Sequence, residues 1–246
     1  MRRRALLAAT SATTLGMFAG CLGDSFGVQD NPTADCETTD RDSTVDEDTR
    51  MDEPPQEITR PEEPEPEEDD YDWNAEYLGE CMVTEPSLSF EVLTRELPTL
   101  EDVGLQSREH DYWAGLIRSE ADRENVLYMD GAEMTVGKAF LEKKEEVLGR
   151  LEAVDYDEAV IVVVETVGGR STRPRWVRVE EHEEGIHLHG YRPRPYSSTL
   201  ELGVTRSIMK VERPDSAVSR ARVSLTVRDD ERVHFDSTEG PVAIDR

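Results

Sequence analysis

Three of the chain's five histidines crowd one short stretch: His182, His187 and His189. Residues 176–191 read WVRVEEHEEGIHLHGY, two alternating runs around Glu183-Glu184-Gly185, a pattern that predicts a β-hairpin. Alternate residues of a strand share a face, so His187 and His189 point the same way, Leu188 faces the core, and His182 lies just across the turn. Three imidazoles on one face could converge on a transition-metal ion, although the usual fourth ligand is not specified. The competing account is a solvated strand face. His182-Glu183 followed by His187 is no zinc-protease motif, because that motif needs histidines four apart on a helix.

A second constellation runs against the composition around it. Thr166 to Val179 contains Arg170, Arg173, Arg175 and Arg178 with no acid, and Ile186 to Leu200 adds Arg192 and Arg194, again with no acid. Trp176, Tyr191 and Tyr196 are interleaved. Arginine mixed with aromatics is the composition of binding hot spots and of sites for anionic groups. Arg170, Arg173, Arg175, Trp176, Arg192 and Arg194 are therefore the candidate binding residues for an anionic partner. The alternative is that these arginines pair with Glu180–Glu184 on the same hairpin, with Trp176 in the core.

Two common catalytic signatures are missing: the chain has no glycine-rich phosphate loop and no Cys-x-x-Cys. Paired acids such as Glu180-Glu181 and Asp229-Asp230 are expected to be solvated surface, since nothing in the sequence splits their pKa values. No catalytic residue and no cofactor is assigned.

The elements that must position these residues follow from periodicity. SLSFEVLTREL (87–97) alternates as a half-buried strand, DYWAGLIRS (111–119) is a second strand, and Ser119 with Asp122 has capping-box spacing for a short helix to about Leu127. Asp130-Gly131 is a turn. Val136, Phe140, Val147, Leu148 and Leu151 form one apolar helical stripe, and AVIVVVET (159–166) reads as a strand covered on both faces at the centre of the sheet. Residues 199–213, 221–227 and 232–235 supply further strands. Strands outnumber helices and no strand–helix–strand repeat occurs. The expected fold is α+β, a mainly antiparallel β-sheet that could fold over as a sandwich, with one long and one short helix.

Charge and cysteine usage set the environment. Acids outnumber Lys and Arg 55 to 28, for a formal charge of -27. Residues 22–75 hold 20 acids, three Arg, six of the 13 prolines and almost nothing apolar, so they are expected to form a disordered, extended tether. The expected organisation is a signal peptide over 1–20, a lipidated cysteine and tether over 21–75, and one globular domain over 76–246. The signal reading rests on Arg2-Arg3-Arg4, an uncharged small-residue stretch, and Phe18-Ala19-Gly20-Cys21. Arg3-Arg4-Ala5-Leu6-Leu7 resembles a twin-arginine export signal, and the tripeptide before Cys21 resembles a lipobox, with Phe18 where Leu is more usual. That resemblance implies cleavage before Cys21 and a lipid on its sulfur, placing the domain at the extracytoplasmic face of the cell membrane. Cys36 and Cys81 then remain as an even pair that could bridge or stand as two free thiols. A strongly acidic chain lacks the basic face that nucleic acids need.

Only four of the 28 bases are lysine, and an acidic chain that prefers Arg so strongly resembles proteins of salt-loving archaea. YWAGLIRSEAD, a helix, DYDEAVIVVV, a Trp/Arg hairpin and a long penultimate strand together resemble uncharacterised exported lipoproteins of haloarchaea. The layout over about 87–228 also resembles a bacterial protease-complex-stabilising domain. These resemblances imply environment and architecture and carry over no active residue. The resulting expectation is a membrane-anchored, non-catalytic binding or envelope-associated module facing an anionic envelope component. The alternative is an extracytoplasmic metal-binding protein or hydrolase using His182, His187 and His189. Oligomeric state is not read from the sequence.

Overall fold

The computed structural model describes residues 49–63, 73–95, 104–105, 109–126, 138–196 and 203–244. The signal segment, Cys21, Cys36 and the Asp130-Gly131 turn lie outside the described residues. Among the described residues nine strands and two α-helices follow in order: β1 (Met51–Asp52), β2 (Phe90–Thr94), β3 (Tyr112–Ile117), α1 (Glu120–Val126), α2 (Lys138–Glu152), β4 (Ala159–Gly168), β5 (Arg175–His182), β6 (Gly185–Tyr191), β7 (Gly203–Glu212), β8 (Arg220–Arg228) and β9 (Glu231–Asp236). They form a five-stranded sheet, β1-β9-β8-β6-β5, and a four-stranded sheet, β2-β7-β4-β3. Among the described strands the pairings are antiparallel except β6 with β8. This is the expected α+β, sandwich-like fold with one long and one short helix.

The two sheets meet through one apolar cluster. Val160, Val162 and Val164 of β4 and Met209 and Val211 of β7 face Val179, Leu188, Val223, Leu225, Val233 and Phe235 from the larger sheet. The other face of β4 presents Ile161 and Val163 to Val147 and Leu151 of α2. Both faces of β4 are thus covered by apolar groups, which is why its sequence is an unbroken β-branched run. Ser119 caps α1 as its spacing implied, accepting a hydrogen bond from the Asp122 N–H at 3.1 Å. The Asp122 carboxylate, however, accepts from the Arg118 N–H, one residue before the position a capping box would use.

The larger sheet is built differently. Its strands alternate over most of their length, as in Ile186-His187-Leu188-His189 and Ala221-Arg222-Val223-Ser224-Leu225, with the apolar set in the core. No described helix covers the opposite face. Two irregular segments lie there instead, contributing Pro55 and Gln56 after β1 and Met82 and Val83 after a 3-10 turn at Tyr77–Gly79. The first comes from the region expected to be tether. Met51 and Asp52 pair with Val233 and Arg232 of β9, and Trp73 is buried against Tyr77 and Leu78. The folded part therefore reaches back to residue 49, correcting the expected start at 76. The physical reason is that a few residues inside the acidic stretch (Met51, Ile58, Trp73) have a strand edge and a small apolar cluster to join.

A buried ion pair stands in the four-stranded sheet. The Glu165 and Arg206 side chains are only 1% and 2% exposed, and Arg206 Nε donates to Glu165 Oε1 at 2.6 Å. The Leu105 N–H donates to Glu165 Oε2 at 2.6 Å. Removing one partner strands a charge in the interior, so Glu165→Ala should lower unfolding stability by about 3–5 kcal/mol. The double change Glu165→Leu with Arg206→Met should cost far less. Urea unfolding of both variants checks this, and equal losses would contradict the pairing argument.

Candidate metal centre

The outward face of the larger sheet gathers polar side chains from every strand. Neighbouring strands lie about 4.8 Å apart, so residues in one row touch. Glu180 of β5 stands opposite His187 of β6, and His189 stands beside Ser224 of β8. Ser224 in turn faces His234 of β9, and Arg232 faces Asp52 of β1. The result is a cavity of about 420 Å³ lined by Arg178, Glu180, His182, His187, His189, Arg222, Ser224, Thr226 and Arg232, and walled by Pro55, Gln56, Met82 and Val83. Cys81, next to this wall, is disulfide-bonded, which excludes the free-thiol reading for it.

Most of this polar face is buried: His187 is 6% exposed, His234 3% and Ser224 1%. Buried polar groups must find partners, and here they form a chain across four strands. Arg232 Nε and Nη2 donate to the two Asp52 oxygens at 2.8 and 2.6 Å, and His234 Nε2 lies 2.8 Å from Asp52 Oδ1. Ser224 Oγ lies 2.7 Å from His234 Nδ1 and 2.6 Å from His187 Nε2.

Valence fixes the protons along this chain. Burial pushes the Asp52 carboxyl up, but hydrogen bonds from Arg232 and His234 outweigh it and leave the group below its usual range, so it only accepts. Burial drives His234 down to about 4, against the pull of Asp52, so its imidazole is neutral near pH 7. Its one proton sits on Nε2, facing Asp52, and Nδ1 is left to accept the Ser224 hydroxyl proton. The Ser224 oxygen must then accept from His187 Nε2–H. That leaves the His187 lone pair on Nδ1, which stands 3.6 Å from Glu180 Oε1. A carboxylate at one end of the chain thus decides which nitrogen of a histidine three strands away is available as a donor.

The donor end has the composition of a metal site. One ring nitrogen each from His187 and His189 and one Glu180 oxygen lie within 4.8 Å of one another. His189 Nε2 is 2.7 Å from Glu180 Oε1, and the His187 and His189 rings are 4.0 Å apart. Burial, then the nearby positive groups, holds His187 well below its ordinary pKa. Burial also lowers His189, against the opposing pull of Glu180. The hydrogen bond from His189 keeps Glu180 low despite burial. Neutral imidazoles beside an ionised carboxylate are the protonation states that a metal requires.

The sequence-derived candidates separate into three groups. His187 and His189 are brought together as expected. His182 lines the same cavity edge-to-face with His187 at 6.1 Å, but Glu180 takes its place in the donor trio. Glu180 lies two residues before His182 and directly across the hairpin from His187, so hairpin register could have found it. Sequence pattern does not single out Asp52, Ser224 and His234, since only tertiary pairing joins them to the hairpin.

Of the expected Arg/aromatic face, Trp176 takes no part. Trp176 is 8% exposed inside the sandwich, because the register irregularity between Trp176 and Arg178 turns it to the core side. Arg175 lies 3.5 Å from Glu76 and Arg194 3.7 Å from Asp229, while Arg192 lies over the Tyr112 ring at 5.7 Å. Arg173 is half-buried, and Arg170 begins a 3-10 turn, Arg170–Thr172. Of the arginines in that region only Arg178 lines the cavity, pairing with Glu180 at 3.4 Å. No protein-family model, curated protein or solved structure matches the chain, so the chemistry of the site rests on its own geometry.

The buried histidines make the fold acid-sensitive. Between about pH 6.5 and 4 the unfolded chain takes up a proton at His234 that the folded chain refuses, so stability falls as pH drops through this window. The contribution is complete above about 6.5, and its loss by pH 4 is on the order of 3 kcal/mol. The lowered Asp52 acts in the same direction as the pH falls further. Urea midpoints measured from pH 7.5 to 4.5 should fall more steeply for the parent than for His234→Gln. Parallel pH dependences would show that His234 is not buried neutral.

Proposed function

We propose that the folded domain binds a divalent transition-metal ion through His187, His189 and Glu180, and that the chain holds this centre at the extracytoplasmic face of a cell membrane by a lipid on Cys21. The observation that carries the metal reading is the convergence of two neutral imidazole nitrogens and a carboxylate oxygen within 4.8 Å, inside a buried polar cavity. Imidazole with carboxylate suits zinc and its neighbours, where calcium and magnesium prefer all-oxygen cages. Metal–nitrogen and metal–oxygen bonds of about 2.0–2.2 Å place tetrahedral ligands roughly 3.3 Å apart. The 3.6 Å between His187 Nδ1 and Glu180 Oε1 already fits, while the 2.7 Å contact of His189 with Glu180 would open as the ion replaces a shared proton. Outer-shell support is also present, since a ligating histidine ordinarily donates its second N–H to an oriented acceptor, here Ser224.

The location is supported by the lipobox-like Phe18-Ala19-Gly20-Cys21 and by the disulfide at Cys81, a bond that persists in oxidising compartments. With Cys21 carrying lipid, Cys36 is the cysteine left to partner Cys81. No helix among the described residues is long and apolar enough to cross a membrane.

Titration of the metal-free mature chain with cobalt(II), followed by visible absorption, tests the centre. One equivalent should give a saturable tetrahedral or five-coordinate spectrum. His187→Ala and His189→Ala should each abolish it, His182→Ala should leave it in place, and Ser224→Ala should weaken affinity about 10–100-fold. Absence of stoichiometric uptake, or uptake lost only in His182→Ala, would overturn the assignment. The anchor is tested separately. Cys21→Ser should release the protein into the medium or leave it unprocessed, and a processed Ser variant that stays on the membrane contradicts lipidation.

A further inference from the structure

The cavity beside the donor trio has an excess of positive charge that the trio alone does not explain. Arg178, Arg222 and Arg232 all line it, whereas Glu180 is the sole carboxylate in its lining. Arg232 is held in a two-pronged pair by Asp52, outside the lining. Among the described residues Arg178 has one ion pair, a 3.4 Å contact with Glu180, and its Nε is buried without a hydrogen-bond partner. A divalent ion on Glu180, His187 and His189 would add two more charges and draw Glu180 away from Arg178. A low-dielectric pocket in that state needs an anion, because uncompensated buried charge is expensive.

We infer that the cavity takes a small oxyanion, one oxygen filling the open position of the metal and another meeting the Arg178 guanidinium. This rests on the metal reading for the first contact and on Arg178 alone for the second. Guanidinium matches two oxygens of a carboxylate or phosphate in one plane, which a lone ammonium does not. Three protein ligands leave a tetrahedral ion one position for such a group. The volume of about 420 Å³ admits a ligand of several carbon atoms beyond the oxyanion, with Pro55, Met82 and Val83 as its apolar wall. The chain otherwise carries 55 acids to 28 bases, so a cationic cavity here is not inherited from overall composition.

Calorimetric titration of the mature chain with inorganic phosphate and, separately, with acetate tests this at constant ionic strength, in zinc-loaded and metal-stripped protein. At least one anion should bind the stripped protein through Arg178 and bind about tenfold or more tightly once zinc is present. Arg178→Gln should weaken that anion tenfold or more in both forms, and Arg178→Lys should fall between the two. Binding of phosphate alone or acetate alone assigns the class of oxyanion. No binding of either anion in either form, or unchanged affinity in Arg178→Gln, overturns the inference. Should Arg178→Gln fail to fold, Arg178→Lys decides: parental affinity in that variant overturns the role of the fork. If zinc does not bind at all while the stripped protein still takes an anion through Arg178, the metal reading fails and the guanidinium contact stands.

Discussion

The contact on which the rest of the site depends is the meeting of the Asp52 carboxylate with Arg232 and His234. Asp52 belongs to a two-residue strand at the edge of the larger sheet, a pairing too short to hold by its ladder alone. Three charge-assisted or buried hydrogen bonds, at 2.6 to 2.8 Å, do what the ladder cannot. They fix the segment that carries Pro55 and Gln56 over the polar face. They also neutralise an arginine that is 8% exposed, and set the direction of the hydrogen bonds running to His187. One carboxylate therefore closes the cavity and orients its donor.

The sandwich explains why such a face can exist. Each sheet needs only one apolar side to form the shared core, and the four-stranded sheet spends its second side on α2. The larger sheet's second side is free to be polar, provided every group there finds a partner. A hairpin supplies the donor trio, while the parallel β6–β8 pairing brings Ser224 and, beyond it, His234 into line. That parallel step departs from the otherwise antiparallel pattern and joins strands separated by all of β7. Gly185 lies at its start. A Cβ there would come within 2.0 Å of the Arg220 carbonyl oxygen, so the turn into β6 requires glycine.

Sequence pattern reads what is local. Period-two alternation places β6, β8 and β9 with the right faces, the β-branched run identifies β4, and the helical stripe locates α2 through Val147 and Leu151. The same logic applied to one hairpin finds His187 and His189. It misses Asp52, Ser224 and His234, which lie 135, 37 and 47 residues from His187 in sequence, because only tertiary pairing makes them neighbours. Composition misleads in two places. A Pro-rich acidic stretch conceals the few residues that dock it, and an Arg/aromatic cluster suggests a surface although Trp176 faces inward. Strand phase, counted from Val179 in the core, puts Trp176 near the core side once the irregularity between Trp176 and Arg178 is allowed for.

The contrast between an acidic exterior and a cationic cavity has a consequence for salt. At molar ionic strength the screening length falls to about 3 Å, and exposed charges cease to attract or repel over distance. The exterior of this chain, at -27 overall, is then electrostatically quiet. Partly buried charges are screened less than exposed ones, so Arg178, Arg232 and the ionised Glu180 keep more of their interaction strength than charges on the exterior. Recognition that relied on long-range steering would fail in such a solvent, whereas recognition by close, desolvated contact would persist. A centre recessed in a sheet face, which recognises its ligand at close range, is the arrangement that physics favours there.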